Sequence, residues 1–130
     1  MRYVDGFLLP VPKKKLQAYR RLAQRAGKIW KEHGALEYRE CVGDDMDARG
    51  MVSFPRAAKA KAGESVFFSW TVYKSKAHRN HVIKKVMKDP RFPSMIENLP
   101  FDMKRMAFGG FKVLVDLGSG TRVAKRRRGR

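Results

Sequence analysis

Hydrophobic and polar positions along this chain follow two periods, one of two residues and one of three to four. Residues 2–9 are mostly apolar and read as a strand, closed by Pro10 and Pro12, which suit a helix start near Lys13. From Leu16 the apolar positions run through Tyr19, Ala23, Ala26 and Trp30 to His33, with Lys14, Arg21, Arg25, Lys28 and Lys31 on the other face. That spacing predicts an amphipathic helix ended by Gly34 in a left-handed cap. Gly27, inside the helix, marks a place where another element packs closely. Residues 35–42 alternate as a second strand, with Leu36, Tyr38, Glu40 and Val42 on one face. Residues 43–63 are predicted to form a long loop. Residues 64–73 carry Val66, Phe67, Phe68, Trp70, Val72 and Tyr73, apolar on both faces, as a central strand does. Ser75 is an N-cap for a second helix running to about Lys88, stopped by Asp89-Pro90. Residues 90–100 hold three prolines and one helical turn at 94–98. Residues 103–117 read as a last strand, where Gly109-Gly110 signals a bulge or a close backbone approach.

The order β-α-β-β-α-β with right-handed crossovers gives an α+β fold, a ferredoxin-like βαββαβ sandwich with both helices on one face of the sheet. The third strand and the segment 111–117 are apolar on both sides, so the other face of the sheet needs a cover. The expected cover is a second copy, sheet to sheet, in a closed two-fold homodimer.

Length adds one constraint: 130 residues suit one domain with a core of its own, here residues 1–118, followed by a basic tail at 119–130. Cys41 is the lone cysteine, so no internal disulfide forms; together with the absence of a secretory or membrane-length apolar run, this reads as a cytoplasmic protein with no membrane association. The formal net charge is +18. The tail contributes Arg122, Lys125, Arg126, Arg127, Arg128 and Arg130 with no acid, leaving 24 basic against 12 acidic side chains in residues 1–118. The tail is expected to be disordered and to make weak, salt-sensitive, non-specific contacts with nucleic acid or another polyanion. It has no aromatic residue for stacking on bases.

Five stretches in order, at residues 3–12 (YVDGFLLPVP), 30–41 (WKEHGALEYREC), 68–79 (FSWTVYKSKAHR), 86–91 (VMKDPR) and 100–112 (PFDMKRMAFGGFK), resemble the YbaA-like bacterial family, a domain of unknown function. The resemblance covers residues 2–117. It implies the dimeric α+β barrel superfamily, which includes cofactor-free monooxygenases, haem-degrading enzymes, isomerases and proteins without known activity. The family has no established catalytic residues to carry over.

The candidate chemistry gathers at residues 30–41. His33, at a helix C-terminus, is expected near Tyr38 and Glu40, as an acid/base pair or as a helix-capping histidine bonded to backbone. Trp30, Phe68, Trp70 and Phe108, with Phe111, line a ligand pocket or simply pack the core. Asp5 interrupts an apolar strand and needs a cationic partner, with Arg39, Arg105 and Lys112 as candidates; a structural ion pair is the favoured reading over a catalytic carboxylate. His78 and His81 lack a third ligand nearby, so no metal is expected, and Cys41 reads as a small packed residue rather than a nucleophile. The glycine pairs lack any phosphate-cradling context. The resulting expectation is small-molecule binding or turnover without a cofactor in a cleft between sheet and helices. The alternative is a non-catalytic interaction protein whose tail associates with nucleic acid.

Overall fold

The structure, a computed structural model, describes residues 1–118. The basic tail and its expected polyanion contacts lie outside the described residues. The elements are β1 (Tyr3–Pro12), α1 (Leu16–Glu32), β2 (Glu37–Val42), α2 (Phe54–Ala57), β3 (Glu64–Tyr73), α3 (Lys76–Lys88), α4 (Phe92–Met95) and β4 (Ala107–Lys112). All strand pairs are antiparallel, and the sheet order is β2-β3-β1-β4, the ferredoxin-like arrangement.

β1 and β4 differ in extent from what the pattern predicts, and the long loop differs in content. β1 continues through Pro10 and Pro12, paired with Val66 and Glu64. β4 covers β1 only from Tyr3 to Leu8. Beyond Leu8 one edge of β1 is free, and a proline without an N–H is tolerated there. β4 is shorter than the expected 103–117. Its partner strand ends at Tyr3, opposite Lys112, and the Val113 N–H makes a last bond to the Arg2 carbonyl. Among the described residues no strand continues opposite residues 114–117, and Leu114 is 89% exposed. The loop at 43–63 contains α2, capped by Ser53, whose side chain accepts from the Arg56 N–H. The Gly109-Gly110 pair sits in regular register opposite Gly6 and Asp5, so there is no bulge. A close approach is present instead: a Cβ at Gly110 would lie 2.5 Å from both the Tyr3 hydroxyl and an Arg79 guanidinium nitrogen.

Strand alternation divides the sheet into two faces. Odd residues of β1 and β3 and even residues of β2 point towards the helices. There they form two apolar clusters. One includes Tyr3, Ile29, Tyr73, Val82 and Val86; the other includes Leu9, Val11, Tyr19 and Phe67. Between them β3 presents Ser69 and Thr71, both buried, beside Glu40 and Tyr38 of β2 and Asp5 of β1. A band of small and polar side chains therefore crosses the core between two bulky clusters. The opposite face, with Phe68, Trp70 and Phe111, is covered only in part within the described residues, by α2 against Phe68, and Phe68 and Phe111 stay 46% and 60% exposed.

Candidate functional site

The polar band follows from the sequence of β3 on its helix-facing side: Phe67, Ser69, Thr71, Tyr73. Two large residues flank two small ones. The space that Ser69 and Thr71 leave is a cavity of about 230 Å³, bordered by Trp30, Leu22 and Ala26 of α1 and roofed by Phe92, Met95, Leu99, Phe101 and Met106. A second, more open cleft of about 550 Å³ runs along the other side of α1, between that helix and β2. Tyr19, Ala23, Tyr38 and Glu40 line both.

Glu40 is the centre of this arrangement. The Tyr19 hydroxyl donates to its Oε1 at 2.8 Å, and the Tyr38 hydroxyl donates to its Oε2 at 3.0 Å. Burial pushes the Glu40 pKa up, while hydrogen bonds from Tyr19, Tyr38 and Ser69 hold it down. Burial also raises both tyrosine hydroxyls well above their ordinary value, and the neighbouring Glu40 charge raises them further, so each stays a donor. Tyr38 reaches Glu40 with its ring close against α1 at Gly27: a Cβ there would sit 2.7 Å from Tyr38 Cδ1. The close approach expected at Gly27 is thus made by β2. Chemically, the site is a desolvated carboxylate with two fixed hydroxyl donors at the junction of two cavities, an arrangement suited to accepting and returning a proton.

His33 is not in this group, and the expected pairing with Glu40 is not the one formed. His33 caps α1, its N–H bonded to the Ile29 carbonyl, and its Nε2 lies 2.7 Å from Asp89 Oδ2 at the end of α3. Its side chain therefore leaves the sheet for the next helix. Arg91 completes a clamp there, with Nε 2.9 Å from Asp89 Oδ1 and Nη2 2.7 Å from Glu32 Oε1 of α1. Bonds from the Arg91 side chain and N–H, and from His33, hold the Asp89 carboxyl well below the usual carboxylate range. A second clamp lies at the far end of the cavity roof. Arg105 binds Glu64 through two bonds of 2.7 and 2.8 Å and brings that carboxyl down to about 2. The apolar roof is thus pinned at both ends by arginine–carboxylate pairs.

The aromatic residues divide between the faces. Trp30 borders the smaller cavity and donates its Nε1–H to the Tyr73 hydroxyl at 3.1 Å. Trp70 borders it from β3, but its ring packs on Phe68 on the open face, centroids 5.6 Å apart, and Phe68 packs on Phe54 of α2. Phe108 pairs with Phe7 at 5.0 Å near the edge of the sheet and stays half-exposed. Cys41, expected as a packed small residue, is instead exposed on the open face opposite Phe68, because odd residues of β2 point away from the helices. Asp5 is 1% exposed, and its partner is none of the three expected cations. Arg79 of α3 reaches it at 3.1 Å, while Arg39 binds Glu37 and Arg105 binds Glu64. The His78 Nδ1 accepts the Lys74 N–H at 2.9 Å. Tyr19, which its period places on the core stripe of α1, also joins the Glu40 cluster; the Ser69 and Thr71 gap in β3 is the signal for it.

The family model described as "Protein of unknown function (DUF1428)" matches residues 2–103. The "Uncharacterized protein YbaA" of Escherichia coli (strain K12) is 44% identical over 116 residues, covering 89% of this chain and 99% of that protein, and its Shigella flexneri counterpart matches to the same extent. Among solved structures, a mutant of SnoaB, described as a cofactor-independent oxygenase from Streptomyces nogalater, superposes with a TM-score of 0.56 at 11% identity, over 89% of this chain and 96% of that one. Rv0793 from Mycobacterium tuberculosis gives 0.57 at 12% identity, over 91% and 100%. At such identities the likeness is one of fold, and it agrees with the α+β barrel architecture. No helix among the described residues is long and apolar enough to cross a membrane.

Proposed function

We propose, from the premise that the chain belongs to the DUF1428 family of proteins of unknown function, that it binds a small organic molecule beside Glu40 and exchanges a proton with it without a cofactor. The observation that carries this reading is the Glu40 carboxylate, held by Tyr19 and Tyr38 where two cavities meet. A structural carboxylate needs its hydrogen bonds but no space beside it. The test is native mass spectrometry of protein purified from its own cells, comparing wild type with Ala23→Met, which fills the wall common to both cavities. Wild type is expected to carry a small molecule that Ala23→Met has lost, at unchanged helicity by circular dichroism. Equal occupancy in both proteins, or an empty wild type, removes the reading. Turnover, once the molecule is known, is expected to fall by about two orders of magnitude or more in Glu40→Gln, which keeps the shape and removes the base.

A second copy of the chain is proposed to cover the open sheet face. Phe68, Trp70 and Phe111 present apolar surface there, and the charges of that face are neutralised within it, Arg39 Nη1 lying 2.6 Å from Glu37. Two strongly basic chains can therefore meet at a face with little net charge of its own, in an isologous two-fold contact. Stable contacts of this kind bury on the order of 1,600 Å². Light scattering at micromolar concentration is expected to give twice the 15.0 kDa chain mass, and Phe111→Arg to give the single chain. A wild type that runs as one chain refutes it.

A further inference from the structure

We infer that the molecule bound beside Glu40 is an organic anion, with an apolar or aromatic body on the floor of the 550 Å³ cleft and an acidic group held at its rim by Arg20 and Lys28. The inference rests on the small-molecule reading above and deepens it.

The rim is built by one stripe of α1. Arg20, Gln24, Lys28 and Lys31 follow one another at steps of four, four and three residues and all border the cleft. At 1.5 Å per residue the cations Arg20 and Lys28 stand about 12 Å apart along the helix. Neither makes an ion pair among the described residues. The acids that flank this end of the helix and the adjoining strand are engaged elsewhere, Glu32 with Arg91 and Glu37 with Arg39. Lys31 is anchored through its ammonium to the Leu36 carbonyl at 2.8 Å, which holds a third positive charge at the same mouth. The sole acid lining the cleft is Glu40, whose two oxygens each accept one tyrosine hydroxyl and keep a lone pair for a further donor. A concave, low-dielectric cleft with cations of one sign at its edge concentrates small anions.

The floor is different in character. Leu16, Ala23, Val42 and Phe67 give it an apolar surface, and Tyr19, Tyr38 and Glu40 supply its hydrogen-bonding groups. A bare inorganic anion leaves that floor unmatched, and a neutral apolar molecule leaves the rim unmatched. An amphiphilic anion matches both. It places its charge away from Glu40 and leaves a hydroxyl or an acidic C–H free to meet that carboxylate. The concavity also separates this stripe from the lysines and arginines of the outer helix face, where a flat polyanion meets only solvated side chains.

The test uses two fluorescent probes that differ by one group: 8-anilino-1-naphthalenesulfonate and its uncharged parent, N-phenyl-1-naphthylamine. The proteins are the full chain, Arg20→Gln/Lys28→Gln and Ala23→Met. Arg20 and Lys28 are exposed, so the double variant is expected to fold as wild type. The sulfonate is expected to bind wild type about tenfold more tightly than the amine, and to lose about that factor in the double variant and in high salt. The amine is expected to bind both proteins within about twofold. Both probes are expected to weaken in Ala23→Met. Equal affinity for the two probes, or a sulfonate affinity unchanged by Arg20→Gln/Lys28→Gln, overturns the anion inference alone. If neither probe responds to Ala23→Met, the cavity is not a binding site, and the reading beneath the inference falls with it.

Discussion

Asp5→Ala is expected to destabilise the fold by about 3–5 kcal/mol, a large part of the roughly 5–15 kcal/mol that holds a domain of this size together. Asp5 lies in the middle of β1, 1% exposed, with Arg79 Nε 3.1 Å away. Burial raises its pKa, and the Arg79 charge and hydrogen bond only partly counter that, so the pair is held in the core at a net desolvation cost. The danger in breaking it lies with the survivor. Arg79 stacks over the Tyr3 ring at 4.9 Å and donates to the Tyr3 hydroxyl, with a side chain 19% exposed, and without Asp5 its charge stays in the core unmatched. The Tyr73 hydroxyl, which accepts from Trp30, also loses its carboxylate partner. Asp5→Asn keeps an acceptor for both and is expected to cost less, about 1–3 kcal/mol. Asp5→Val combined with Arg79→Met removes both charges and is expected to recover most of the loss. Urea unfolding midpoints of the three variants decide it. An Asp5→Ala loss below about 1 kcal/mol, or a double variant no better than Asp5→Ala, shows that the pair is not what holds this part of the core.

Asp5 also shows where reading a sequence stops. An acid in an apolar strand announces that a cation is near, because an unpaired buried carboxylate is too costly. Which cation is set by how α3 packs on the sheet, 74 residues downstream. His33 has the same history: its place at the end of α1 was legible, but its partner Asp89 lies 56 residues away on the far side of another helix. The elements themselves were legible because period and caps are local. α1, β3 and the Ser75 cap lie where the pattern puts them, and the strand order follows from handedness. The ends of β1 and β4 were not, because each depends on how far its neighbour extends. In the site, Tyr38 and Glu40 were brought together by alternation along one strand, as expected. Tyr19 entered the same cluster from α1, and counting β3 as uniformly apolar hid the Ser69 and Thr71 gap that makes room for it.

Gly27→Ala is expected to weaken both the fold and the Glu40 site, against what helix propensity alone says. In an exposed helix interior, glycine to alanine stabilises by about 1 kcal/mol. At Gly27 the added methyl would lie 2.7 Å and 2.8 Å from two Tyr38 ring carbons and 3.3 Å from a third. The ring is wedged between α1 and β2, so it has to shift, and overpacking of this kind costs about 1–3 kcal/mol. The expected sum is a net loss of about 1 kcal/mol. The more telling change is at Glu40. Tyr38 donates to Oε2 at 3.0 Å, and that bond lowers a pKa that burial has raised. With the ring displaced, the bond is lost while the burial stays, and the Glu40 pKa rises further. Tyr38→Phe is expected to raise it in the same direction without the steric loss, and Gly27→Ala on a Tyr38→Phe background is expected to add little more. Carbon-13 titration of the Glu40 carboxyl in the three proteins measures this. A Gly27→Ala protein that is more stable than wild type, with Glu40 titrating as before, would mean that the glycine is free to carry a side chain and that Tyr38 is not positioned by it.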